Sequence, residues 1–268
     1  MISYLIVSSL FAGFLALLLA SLLSFHFGDK TRKALDLILT SIAIGTLIST
    51  AFAATLHQVI KEYPRPHTNL YVMVGAIVVF YVIDQLLPWR GECHQKGCEL
   101  HLPLAGPQFF LGNAAYHIFM GVILAAGYLK SSSVGICTAT AIFVYQIVHE
   151  KGVLDGLLLQ DIPKKNALLQ NVLFNGLLVI LAILAYYLLG ALGMPMVIDL
   201  VLSASVGAFT YISVSEMVLS KGHDKPNPLL IILQFVIILL AILMMSNLIH
   251  LNSLFQDYTD SVNWADLG

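Results

Sequence analysis

The stretch VLFNGLLVILAILAYYLLG, residues 172–190, has no charged residue and a single amide side chain, Asn175. About 20 mostly apolar residues are enough for a helix to cross a bilayer. Seven other runs have the same character. The eight predicted spans cover 2–26, 35–60, 69–88, 104–129, 133–158, 167–190, 194–219 and 228–250. This pattern predicts an all-α polytopic membrane protein, with one eight-helix domain over 1–268 and the lipid bilayer as its surroundings.

Composition supports that class and excludes others. Of the 268 residues, 59% are hydrophobic and 10% are charged, whereas about a quarter of a soluble domain is charged. The net charge is −2 and no basic block occurs, so nucleic-acid binding is not expected. Three cysteines are too few for a disulfide framework.

Loop charge predicts the orientation. Ten Lys or Arg residues fall on the side of the 1–2, 3–4, 5–6 and 7–8 loops, and three fall on the opposite side. Positive residues concentrate in cytoplasmic loops. We therefore expect both termini outside, in a protein of the cell membrane.

Spans 2 and 7 carry a short internal echo, SIAIG (41–45) and SASVG (203–207). The two spans run in opposite directions through the membrane. Similar segments in opposite directions are typical of inverted repeats in transporters. The prediction is an inverted repeat of spans 1–3 and 6–8 around spans 4 and 5.

Polar residues at membrane depth concentrate in spans 4 and 5. Helical spacing puts Gln146, His149 and Glu150 in one patch of span 5, while His117 lies on span 4. Imidazole nitrogens with a carboxylate suit a zinc-like ion. The alternative is that the histidines only hydrogen-bond neighbouring helices. Lys151 and Asp155, four apart, are expected to pair with each other near the inner rim.

Further donors lie outside this patch. The loop 89–103 contains GECHQKGCELH (91–101), which suggests cytoplasmic metal capture. The alternative is a solvated loop that happens to be rich in donors. The capture candidates are Cys93, His94, Cys98, His101 and, in the 7–8 loop, His223. His57 is the candidate on the outer approach, and Asn113, Asn175 and Glu216 are candidates for lining a path.

Local motifs resemble the ZIP (Zrt/Irt-like) family of divalent metal transporters. GTLISTAFAATLHQVIKE (45–62) resembles the family's span 2, and VLFNGLLVILAILAYYLLG (172–190) its span 6. SVGAFTYISVSEM (205–217) resembles span 7, with its Gly, Tyr and late acid. HIFMGV (117–122) and YQIVHEKG (145–152) resemble the metal-site motifs of spans 4 and 5.

Those two motifs also depart from the family pattern. Gly121 stands where the family has the bridging acid of span 4, and Tyr145, Gln146 and Val148 stand where span 5 has a His, an acid and a Pro. The resemblance implies a metal site at His117, Gln146 and His149, with Glu150 as the nearby carboxylate. The lost acid makes a two-metal centre unexpected, and the lost prolines predict straighter helices.

The resulting expectation is a transporter that moves a divalent ion, zinc first, toward the cytoplasm through a single-metal site. Alternating access is the expected mechanism, no organic cofactor is expected, and the resemblance implies a homodimer. The alternative is a non-transporting relative that acts as a metal sensor or partner subunit. An intramembrane zinc hydrolase is not expected, because position 153, where a second His would follow His149, is Val.

Overall fold

The structure is a computed structural model that describes residues 1–27, 29–62, 66–87, 107–219 and 228–261. These residues form helices and contain no strand. We number the helices by membrane span. The helix α1 comprises Ile2–Leu10, Phe11–Leu15 and Ala16–His26, and α2 comprises Asp29–Ser49, Thr50–Leu56 and His57–Glu62. The others are α3 Pro66–Leu86, α4 Pro107–Lys130, α5 Ser132–Leu159, α6 Lys164–Leu192, α7 Pro195–Leu219 and α8 Pro228–Ser261.

All eight helices of the described chain are long and apolar enough to cross a membrane, and they coincide with the eight predicted spans. The protein is therefore an all-α polytopic membrane protein, as predicted. Large apolar side chains such as Leu173, Leu184 and Met244 are exposed on its outside. A soluble protein rarely exposes so much apolar surface, whereas a lipid-facing one must.

The contacts between helices show an internal symmetry of the bundle. The most extensive contacts include α4 with α6, α5 with α1, α2 with α8 and α7 with α3. Exchanging α1 with α6, α2 with α7, α3 with α8 and α4 with α5 maps these contacts onto one another. Burial follows the same symmetry, since only 17% and 22% of the most apolar stretches of α3 and α8 are buried, against 61% and 56% in α2 and α7. This pattern is what the predicted inverted repeat requires.

The sequence echo in α2 and α7 has a packing role. A Cβ added at Gly45 would lie 2.6 Å from Ala241 Cβ of α8, and one added at Gly207 would collide with the Met73 carbonyl of α3. Both glycines thus permit a close helix approach, and the two contacts are equivalent under the repeat. The echo SIAIG and SASVG therefore marks symmetry-related helix crossings.

Two π-helical segments interrupt this symmetry. They cover Phe11–Leu15 in α1 and Thr50–Leu56 in α2, whereas α6 and α7, their repeat counterparts, contain none. Segments of this kind often occur beside functional sites. By contrast α4 and α5 are uninterrupted, as the missing prolines predict. Residues from α1 to α7 form one hydrophobic core around them.

Candidate metal centre

Three potential metal ligands meet where α4 faces α5. One donor atom each of His117, His149 and Glu150 lies within 4.8 Å of the others, and all three residues are buried. His117 is ten residues after the start of α4 and Glu150 nine before the end of α5. At 1.5 Å per residue, His117 lies roughly 15 Å from the start of α4 and Glu150 about as far from the end of α5. The group is therefore at membrane depth.

The hydrogen bonds of His117 fix the tautomer of its neutral ring. Nδ1 lies 2.8 Å from the Asn113 carbonyl oxygen, which can only accept, so Nδ1 carries the hydrogen. The lone pair is then on Nε2, which lies 3.3 Å from Glu150 Oε1. Outer contacts of this kind orient a histidine toward a metal.

Glu150 is bound on one oxygen only. Oε1 accepts from Gln146 Nε2 at 2.8 Å and from Asn175 Nδ2 at 2.9 Å. Oε2 is buried and has no hydrogen-bond partner among the described residues. Leaving a buried carboxylate oxygen without a partner costs free energy. This oxygen is thus available to a cation.

Amide groups complete the network around the carboxylate. Gln146 Nε2 lies 3.0 Å from His117 Nε2 and 3.2 Å from Asn175 Oδ1. The Gln146 carbonyl oxygen, the atom expected to bind a metal, accepts from Tyr116 Oη at 2.7 Å. Asn175, predicted only to line a path, belongs to the cluster itself.

His149 is held from α4. Its Nε2 lies 3.0 Å from Asn113 Oδ1, and its ring lies 4.1 Å from that of Tyr116 between centroids. On the other side of the cluster, Phe174 stacks on His117 at 5.6 Å. Aromatic rings therefore surround the two imidazoles and exclude water, which strengthens electrostatic interactions inside.

Glu150 is the one carboxylate of the cluster. Within the described part of the chain no lysine or arginine pairs with Glu150. Lys151, its neighbour in sequence, contacts Asp155 at 2.6 Å and Asp36 of α2 at 2.8 Å. The predicted pairing of Lys151 with Asp155 is confirmed, and the lysine charge is directed away from the cluster.

Gly121 explains why a second carboxylate does not fit on α4. A Cβ added there would lie 2.9 Å from the Leu178 carbonyl oxygen and 3.0 Å from the Ala182 nitrogen of α6. Both atoms are backbone, so a longer side chain would force α4 and α6 apart. The close contact between these helices is consistent with a single-metal site.

The other predicted residues do not join this cluster. His57 is exposed on α2. Glu216 accepts a hydrogen bond from Tyr145 at 3.1 Å, and Tyr145 stacks beside His149 at 6.2 Å. The predicted capture residues Cys93, His94, Cys98, His101 and His223 lie outside the described residues.

Three residues that pack in or beside the cluster were not predicted from the sequence. Tyr116 looks like an ordinary core aromatic, and Phe174 lies within an apolar run. A Cβ added at Gly13, in the π-helical segment of α1, would lie 3.2 Å from Asn175 Oδ1. A weak signal existed for Tyr116 alone, since it is three residues after Asn113 on the same helix face.

Two imidazole nitrogens and a carboxylate oxygen are ligands that zinc accepts, with a fourth position left open. The chain matches no protein-family model. Its kinship with ZIP transporters therefore stays a prediction from the motifs quoted above.

Proposed function

We propose that the protein transports a divalent transition-metal ion, with zinc as the first candidate, across the cell membrane toward the cytoplasm. The observation that supports this most is the buried group His117, His149 and Glu150, whose donor atoms lie within 4.8 Å of one another. Ionisable groups at membrane depth are costly, and they commonly mark ion pathways.

The charge of the cluster suits transport better than permanent storage. A doubly charged ion meets one carboxylate and two neutral imidazoles, so its charge is only half compensated. Incomplete compensation weakens binding, and an ion that is transported must leave as well as enter. The Glu150 Oε2 atom, which lacks a partner among the described residues, is the first contact that an arriving cation can gain.

The arrangement of the helices suggests how the protein would move during transport. In inverted-repeat transporters one bundle rocks against the other around a midplane site. Here α4 and α5 carry the ligands, and the repeat of α1–α3 and α6–α8 surrounds them. The excess of Lys and Arg in the even-to-odd loops supports termini on the outside.

The test is zinc uptake into proteoliposomes that contain a fluorescent zinc indicator. The wild type is compared with the His117→Ala/His149→Ala double variant and with empty liposomes. A matched control is His26→Ala/His67→Ala, which removes two exposed histidines at helix ends. We expect uptake by the wild type and the control and none by the site variant. Uptake at the empty-liposome rate by all three proteins would contradict the proposal.

A metal sensor or partner subunit is the second candidate. It is favoured by the amide network, which already satisfies Glu150 Oε1 without an ion. Equilibrium zinc binding by the purified protein separates the two candidates. Binding that requires His117 and His149 but is accompanied by no uptake would favour the sensor.

A further inference from the structure

The amide nitrogen of Gln146 lies where lone pairs converge. Glu150 Oε1, His117 Nε2 and Asn175 Oδ1 surround Nε2 at 2.8, 3.0 and 3.2 Å. An amide nitrogen has two hydrogens, so it meets three acceptors with two donors. Two of the three acceptors are atoms of the proposed metal ligands.

The orientation of this amide follows from its neighbours. Asn175 Nδ2 donates to Glu150 Oε1 and to the Asn171 carbonyl, at 2.9 and 2.8 Å. Both of these atoms are acceptors, so Asn175 must direct its own oxygen toward Gln146. An oxygen there requires the donor end of Gln146 opposite it. The nitrogen of Gln146, rather than its oxygen, therefore faces the cluster.

Tyr116 holds the other end of the amide. Its hydroxyl donates to Gln146 Oε1 at 2.7 Å, and its buried ring packs against those of His117 and His149. The carbonyl oxygen is thus anchored away from the cluster. With the oxygen held there, Gln146 offers the cluster no metal-ligating atom.

We propose that the Gln146 amide is an internal competitor for the ion rather than one of its ligands. This inference rests on the proposed function. With Nδ1 of His117 bound to the Asn113 carbonyl, the amide nitrogen and a metal ion would use the same lone pair on His117 Nε2, so the two cannot be bound there together. The ion binds as the amide withdraws, and the returning amide displaces the ion. Gln146 thereby limits affinity and promotes release.

The test is the zinc affinity of Gln146→Leu and Gln146→Ala, measured by competition with a chromogenic chelator. The full chain is used with its loop donors replaced (Cys93→Ser, His94→Ala, Cys98→Ser, His101→Ala), so that the helix cluster is measured. We expect both variants to bind zinc about tenfold more tightly than the parent, equivalent to ~1.4 kcal/mol. A slower zinc off-rate should accompany the change.

Controls separate competition from a merely structural role. Gln160→Leu makes the same change at the exposed C-cap of α5 and should leave the affinity unchanged. A structural role would lower the unfolding temperature without tightening zinc binding. Unchanged or weaker binding in both Gln146 variants would overturn the competitor assignment while leaving the proposed function intact. If the parent binds no zinc, or His149→Ala does not weaken its binding, the proposed function fails and this inference with it.

Discussion

Two polar clusters share α5 and differ in their charge balance. At the rim, Lys151 contacts Asp155 and Asp36, and Arg32 lies 3.8 Å from Asp155. Two positive and two negative side chains balance there. One residue earlier in the chain, Glu150 enters a cluster of amides and imidazoles in which no lysine or arginine pairs with it among the described residues.

The difference shows how a helix separates neighbouring residues. Successive residues point about 100° apart around the axis, as 3.6 residues complete one turn. Glu150 therefore faces α4 and α6, while Lys151 faces Asp36 of α2. A balanced cluster needs no ligand and joins helices. An unbalanced one at membrane depth needs a cation to complete its charge.

The largest expected effect is that of Glu150→Gln. This change keeps the side-chain shape but removes the cluster's one charge, so zinc affinity should fall at least ~100-fold, equivalent to ~2.7 kcal/mol. Competition with a chromogenic chelator in the loop-donor-free chain measures it. The matched control is Asp155→Asn at the rim, which removes a carboxylate from the balanced cluster. Its zinc affinity should stay within about threefold of the parent's, and equal losses in both variants would contradict the comparison.

A second expected effect concerns stability. Lys151→Met leaves Asp36 and Asp155 close together with less positive charge between them. Breaking a buried pair costs about 3–5 kcal/mol, but Asp36 is one third exposed and Arg32 stays nearby. We therefore expect a loss of roughly 1–3 kcal/mol, seen as a lower unfolding temperature in detergent.

Replacing Asp36, an ion-pair partner of Lys151, by Asn tests whether the loss of stability comes from this interaction. In the Lys151→Met background it should restore part of the lost stability, because it removes one of the two carboxylates that Lys151 no longer neutralises. Additive losses from the two changes would show that the residues do not interact, and a loss of zinc binding comparable to that of Glu150→Gln would show that the rim is part of the site.

A smaller effect is expected for Asn113→Ala. Its side-chain oxygen holds His149 Nε2 at 3.0 Å, so its loss frees the ring to rotate. Outer contacts of metal-binding histidines are worth about 10–100-fold in affinity, and we expect the lower end because Tyr116 still packs on the ring. Asn113→Asp keeps the acceptor for His149 and adds a negative charge, so it should bind zinc at least as tightly as the parent in the same chelator assay. If the two variants bind zinc equally, Asn113 does not position His149.

Much of the fold could be predicted from the sequence. Apolar runs give eight helices because the bilayer requires a fixed length, and the glycines of 41–45 and 203–207 indicated the repeat. The π-helical segments at 11–15 and 50–56 could not be predicted. They depend on packing between helices that are distant in the chain.

The site could be predicted only as far as helical periodicity reaches. The patch of Gln146, His149 and Glu150 follows from spacing on a single helix, as does the pairing of Lys151 with Asp155. The rotation of α4 and α6 relative to α5 does not follow from the spacing of residues on one helix. Contacts of Tyr116 with Gln146 and of Asn175 with Glu150 depend on that rotation, so they appear only in the folded bundle.

Anomalous diffraction at the zinc edge, from crystals of the protein soaked in zinc, tests the central claim most directly. The claim predicts one zinc peak between α4 and α5, about 2.0–2.2 Å from one nitrogen of each histidine, His117 and His149, and from an oxygen of Glu150. The peak should vanish in crystals of Glu150→Gln. Zinc bound elsewhere in the molecule, with no peak among these three residues, would contradict it.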